Sequence, residues 1–128
     1  MKIAQVVVSS LLGALFLFAG LFYFFGTLPP PPPADTPAGM FMGAFSPTHY
    51  MDFIKVLEII GALLVVIPRT RVLGLIILTP IIVNIVAFHV FITQGAGLVG
   101  APLFTAIAAA FLIWSHRKGV AALLADRG

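Results

Sequence analysis

The chain is 128 residues long, 61% hydrophobic and only 9% charged. Its mean hydropathy is +1.16 and its net charge is +3. A soluble domain of this size buries only about two-thirds of its chain's surface and has no place for so much apolar area. The composition excludes an ordinary soluble domain, a disordered chain and a basic nucleic-acid binder. With no cysteine, thiol redox chemistry, disulfides, iron–sulfur clusters and thiolate-bound zinc are excluded as well.

The first apolar run, Ile3 to Gly26, is uncharged and 24 residues long. At about 1.5 Å per residue it exceeds a hydrocarbon core of about 30 Å. It is also longer than a signal peptide's apolar region of about 7–15 residues, and no small-x-small cleavage site precedes the prolines. Leu28 to Gly39 reads as a loop, stiffened by the five prolines Pro29 to Pro33, which favour polyproline II. Met40 to Phe45 is apolar but too short to span. It is expected as a short interfacial helical turn covering the mouth of the bundle.

Met51 to Ile67 is the second run, with Lys55 and Glu58 inside it. A basic turn, Pro68 to Arg71, leads to the third run, Val72 to Ile92, which contains Pro80, Asn84 and His89. After an uncharged turn at 93–97 comes the fourth run, Leu98 to Ser115, closed by His116-Arg117-Lys118. Val120 to Ala125 has the pattern of a short amphipathic tail helix. Segments crossing lipid must satisfy their own backbone polar groups, and no run alternates with the period of a strand. The expected fold is an all-α membrane protein. It is a four-helix bundle with helices near 3–26, 52–67, 71–92 and 98–116, and an outer loop over 27–51.

Lys2, Arg69, Arg71, Arg117, Lys118 and Arg127 fall on one side of such a bundle, and only Lys55 lies elsewhere. The positive-inside rule then puts both termini in the cytoplasm. Trp114 and Tyr50 fall at opposite boundaries, as aromatic belts require.

With that topology the intramembrane polar residues gather in the outer half. Lys55 lies about 6 Å and Glu58 about 10 Å from the outer end of the second helix. His89 and Asn84 lie about 5 and 12 Å from the outer end of the third, and Tyr23 about 5 Å from that of the first. Glu58, Lys55, His89, Asn84 and Tyr23 are therefore the candidate ligand- or partner-binding residues. Lys55 and Glu58, three apart, share a helix face. They read either as an ion pair that positions the helix or as the polar floor of an outward-facing pocket. Asn84 follows Pro80, which frees a backbone carbonyl, and reads as interhelical glue or a site residue. Asn84 and His89 are about 140° apart around a helix and need not share a pocket.

Nine of the twelve phenylalanines fall in the outer half or loop. They form either an aromatic girdle or the lining for a flat, quinone-like ligand. Ser10, Gly13 and Ala14 on the first helix, and Ala106 with Ala108 to Ala110 on the fourth, make small-residue faces suited to close helix packing. No spacing for a metal site, a catalytic triad, a P-loop or a dinucleotide fingerprint occurs. No metal, resident cofactor or independent catalytic activity is expected.

The chain resembles the DoxX family of small bacterial membrane proteins. The resemblance runs from Ala19-Gly20-Leu21 through the Pro-rich loop, Gly39 to Phe45, Tyr50 and Ile54-Lys55-Val56-Leu57-Glu58. It continues through Gly61 to Arg69 and ends in Leu78-Thr79-Pro80-Ile81-Ile82-Val83-Asn84-Ile85 with Phe88-His89-Val90-Phe91. Its most specific parts are the Lys-x-x-Glu step and the Pro-Ile-x-x-Asn-Ile-x-x-x-His string. It places Tyr23 where many relatives carry Lys, Asn or His. It implies a four-helix bundle in the bacterial inner membrane. It also implies association with membrane redox complexes, since the family's name comes from a subunit linked to a quinol oxidase and to thiosulfate:quinone oxidoreduction. The expected function is an accessory subunit of such a complex, with lipids and other membrane subunits or further copies of itself as partners. The alternative is a stand-alone pocket protein that binds or transfers a quinone-like molecule. A minimal transporter is the third reading, weakened by the absence of an inverted repeat.

Overall fold

The computed structural model describes residues 2–125. Arg127, which enters the charge asymmetry, lies outside the described residues. Among the described residues there is no strand, and six α-helices follow one another: α1 (Lys2–Phe25), α2 (Pro37–Phe45), α3 (Tyr50–Val66), α4 (Arg71–Ala87), α5 (Ala101–Ser115) and α6 (Arg117–Leu124). The four longer ones pack in a ring, in which α1 touches α3 and α5, and α4 touches α3 and α5. Leu12 and Phe16 of α1, Ala62 and Val65 of α3, Leu75 and Leu78 of α4, and Ala109 and Leu112 of α5 fill its centre. The outward side chains are apolar too: Phe18, Leu63, Val83 and Ile107, one from each helix, are exposed. Such a surface suits hydrocarbon and not water.

By length and composition two stretches, Lys2–Phe25 and Pro68–Ile92, can cross a membrane. A third candidate is α5 with α6, two helices bent by 79° at their junction. α3 has 17 residues, about 25 Å at the usual rise.

Close approach of backbones sets the register. A Cβ at Gly13 would meet the Ala62 carbonyl at 3.0 Å, and one at Gly20 would meet Ile59 Cγ1 at 2.5 Å with the Lys55 carbonyl at 3.5 Å. α1 and α3 are therefore antiparallel, with Gly13 level with Ala62 and Gly20 level with Lys55. Between α3 and α4, Gly61 faces Leu78, and Gly74 lies against the backbone of Val65, whose nitrogen a Cβ would meet at 2.5 Å.

The ends differ from the expected bounds for local reasons. Thr36 caps α2, its hydroxyl accepting from the Gly39 amide at 3.1 Å and donating to the Pro33 carbonyl at 2.6 Å. Pro37 occupies the first turn, where a missing N–H costs nothing. The helix thus starts three residues before Met40, inside the expected loop. Gly39 sits on the Pro33 carbonyl with no room for a Cβ. Residues 98–100, expected as helix, form a turn, and α5 starts at Ala101 with Pro102 in its first turn. After Ala87 the chain widens into a π-helical turn, Phe88–Ile92, closed by Thr93 N to the Phe88 carbonyl at 3.1 Å. Gln94, Gly95 and Gly97 then turn the chain with positive φ.

Arg71 is buried and not part of an open basic turn. Its Nε donates to the Val65 carbonyl at 2.9 Å and an Nη to Val66 at 3.1 Å. Thr70 Oγ1 donates to Leu64 at 2.8 Å. Side chains from the next segment thus cap the C-terminus of α3, whose free carbonyls carry partial negative charge.

If the Gly74 approach fixes the α3–α4 spacing, Gly74→Ala should destabilise the fold by about 2 kcal/mol, as overpacking does. Gly43→Ala, where a Cβ meets nothing within 4 Å, should be neutral or slightly stabilising. Thermal unfolding of the two variants in one detergent checks this, and equal midpoints would refute it.

Candidate functional site

The α1–α3 register that puts Gly20 beside Lys55 also brings Tyr23 level with Asp52. The Tyr23 hydroxyl donates to Asp52 Oδ1 at 2.7 Å. Asp52 Oδ2 lies 2.9 Å from His49 Nδ1. His49 precedes α3 with φ 63°, a left-handed conformation uncommon for a residue with a Cβ but one that His tolerates better than most. One turn further along α3, Lys55 Nζ sits 5.8 Å from the Tyr23 ring centroid and 3.1 Å from Glu58 Oε2. The ammonium is thus held between an aromatic face and a carboxylate.

His49, Asp52, Lys55 and Glu58 recur every three residues. Each step falls short of a full turn by about 60°, so the row winds around α3 instead of running straight along it. It begins outside the bundle and ends inside. Side-chain exposure falls from 82% at His49 to 38% at Asp52, 21% at Lys55 and 3% at Glu58. Tyr23, from α1, crosses over the middle of the row.

Glu58 Oε2 is close enough to Lys55 for an ion pair, but the angle is not that of a hydrogen bond. Among the described residues, Glu58 Oε2 and Thr79 Oγ1 are the buried side-chain atoms without a hydrogen-bond partner. The α3–α4 register sets Thr79 within one turn of the level of Glu58. A buried oxygen without a partner costs about 1–3 kcal/mol. The two are at similar depth but do not share a face: Gly74 and Leu78 are the residues of α4 that face α3, and Thr79 stands about 100–140° further round the helix.

Of the residues singled out in the sequence, Tyr23, Lys55 and Glu58 come together. Asn84 and His89 are engaged elsewhere. Register puts Asn84 level with Lys55, but its side chain is exposed and Nδ2 donates to the Pro80 carbonyl at 2.9 Å, within α4. His89 Nδ1 lies 2.8 Å from the Ile85 carbonyl, also within its own helix, and its ring stands edge-on to Phe88 at 5.3 Å. Phe88 in turn meets Phe41 of α2 at 4.8 Å, Phe41 stacks on Phe45 at 4.2 Å, and Phe45 meets Tyr50 at 4.6 Å. α2 therefore lays an aromatic cover from α4 to the start of α3, and His89 belongs to that cover.

Sequence reasoning missed Asp52 and His49 as site residues. The signal was there: the three-residue step from Lys55 to Glu58, extended backwards, lands on both.

Removing Lys55 alone leaves a buried carboxylate without its cation, which costs about 3 kcal/mol or more. Lys55→Met should therefore unfold at a clearly lower temperature than Lys55→Met, Glu58→Leu. A single variant as stable as the double one would show that the pair does not form. Tyr23→Phe, which deletes only the donor to Asp52, should cost about 1 kcal/mol, read from the same melting curves.

Comparison of the chain with protein families, curated proteins and solved structures finds no match.

Proposed function

We propose that the chain is a DoxX-like multi-pass protein of the bacterial inner membrane that serves as an accessory subunit of a redox, quinone-linked complex, without catalytic activity of its own. In this reading α1, α3, α4 and α5 each cross the bilayer. Lys2, the α3–α4 turn with Arg69 and Arg71, and Arg117 with Lys118 lie at the cytoplasmic end. The Pro-rich segment and α2 lie outside. The antiparallel ring supports this, because it gathers these basic residues at one end and leaves Lys55 alone at the other. A 25 Å α3 is accommodated by slight thinning of the bilayer, at a modest cost per ångström.

The observation that carries the subunit reading is a groove of about 370 Å³ on the bundle's surface between α1 and α3, toward the end that carries Lys2 and Arg69. Ser10, Gly13 and Ala14 line one wall, and Ala62, Leu63 and Val66 the other. Between helices in lipid there is little hydrophobic drive, so association depends on close van der Waals packing, which small residues permit. The groove fits a helix of another subunit or of a second copy. The redox assignment rests on the family resemblance.

The buried Glu58 carboxylate, which has the Lys55 ammonium beside it but no hydrogen bond to Oε2, favours a second reading. A quinone-like molecule offers both a carbonyl and, when reduced, a hydroxyl. The buried Glu58 carboxylate can accept from that hydroxyl.

Filling the groove with Ala14→Phe should leave the bundle folded and abolish copurification of other membrane proteins in mild detergent. Glu58→Gln should leave copurification intact. The opposite pattern, with loss of an extractable lipid-soluble molecule in Glu58→Gln, would replace the subunit reading with the pocket reading. A Thr36→Cys label accepted only from the cytoplasmic side would overturn the topology.

A further inference from the structure

At the junction of α5 and α6 the chain turns through 79°. If α5 crosses the bilayer, as in the reading above, a helix at that angle to it lies along the membrane surface. The side chains of α6 are arranged for that position. Val120, Leu123 and Leu124 cover an arc of about 100°, with Lys118 roughly opposite and Arg117 at the edge. No residue of α6 is buried, and Leu123 and Leu124 are 60% and 76% exposed. The nearest structure to Gly119 is Val72 of α4, 3.3 Å from where a Cβ would stand.

The junction also forms a half-open cleft of about 410 Å³, lined by Ser115, His116, Arg117, Lys118 and Gly119. The Arg117 guanidinium lies over the Trp114 ring at 4.9 Å and donates once, to the Trp114 carbonyl at 2.9 Å. Among the described residues its other N–H groups have no partner, and they suit a planar, bidentate anion, the geometry that phosphate offers. Lys118 adds a second charge, and no Asp or Glu is among the lining residues. Trp114 is itself a side chain of the membrane interface.

We propose that this cleft and the apolar face of α6 together form a binding site for an anionic phospholipid. The phosphodiester sits between Arg117 and Lys118, and the acyl chains lie against Leu123 and Leu124. The apolar arc alone would suit any lipid. The two cations, with no carboxylate among the cleft residues, make the site selective for a net negative headgroup.

Trp114 is the only tryptophan, so its fluorescence reports this site alone. The full chain is reconstituted in phosphatidylcholine vesicles carrying, at equal mole fraction, either acyl-brominated phosphatidylglycerol or acyl-brominated phosphatidylcholine. Quenching should favour the brominated phosphatidylglycerol by roughly tenfold in apparent affinity, since a basic side chain near an anionic surface is worth several-fold. Lys118→Gln, which leaves the Arg117–Trp114 stack in place, should cut that preference several-fold. Arg117→Gln with Lys118→Gln should erase it. Equal quenching of the parent protein by the two lipids would overturn the site while leaving the membrane reading intact. Quenching by neither would overturn both.

Discussion

The fold depends on how closely the backbone of α3 approaches its two neighbours. Gly13 and Gly20 let α1 lie against it on one side, and Gly61 and Gly74 let α4 do so on the other. In hydrocarbon, helices gain little by hiding apolar surface from a solvent that is equally apolar, so these close contacts are the main source of cohesion. They also index the helices. A one-residue slip of α1 against α3 would drive Gly20 off the Ile59 side chain and separate Tyr23 from Asp52. The packing of small residues and the placement of the polar ones are thus one constraint seen at two levels.

The polar row shows how a helix can carry charge inward by degrees. A spacing of four would have kept His49, Asp52, Lys55 and Glu58 nearer one stripe, either all facing out or all buried. A spacing of three winds them from the exposed side into the interface, so each group borrows from a neighbour slightly more exposed than itself. Asp52 has Tyr23 and His49, Lys55 has the Tyr23 ring, and Glu58 has Lys55, with an ion pair but no hydrogen bond at Oε2. Charged groups in an apolar setting persist when paired, and here the pairing is delivered almost entirely by one helix and one tyrosine.

Much of this was legible in the sequence, because hydropathy run length and helical period need no tertiary information. The four long apolar elements, the pairing of Lys55 with Glu58 and the gathering of Tyr23 beside them follow from counting. What was not legible depends on geometry that counting does not reach. Asn84 was readable as a polar group in need of a partner, but not as one that finds it on its own helix at Pro80. His89 was readable as a polar group near the end of the third run, yet the π-helical turn rotates this stretch away from an ideal α-helical projection, and the aromatic cover from α2 takes it up. Arg71 looked like an exposed turn charge. Its capping role depends on the chain doubling back over three residues.

That capping has a consequence for where α3 can end. The final carbonyls of a helix normally require water or lipid headgroups, which ties the helix end to the interface. Leu64, Val65 and Val66 are instead satisfied by Thr70 and Arg71 from the following segment. The C-terminus of α3 is therefore closed by the chain itself before any solvent is counted. The end of α3 is fixed by the turn that follows it, while Arg69 keeps the tip of that turn exposed. Whatever displaces Arg71 therefore also loosens the last turn of α3, so that the turn and the helix end respond as one unit.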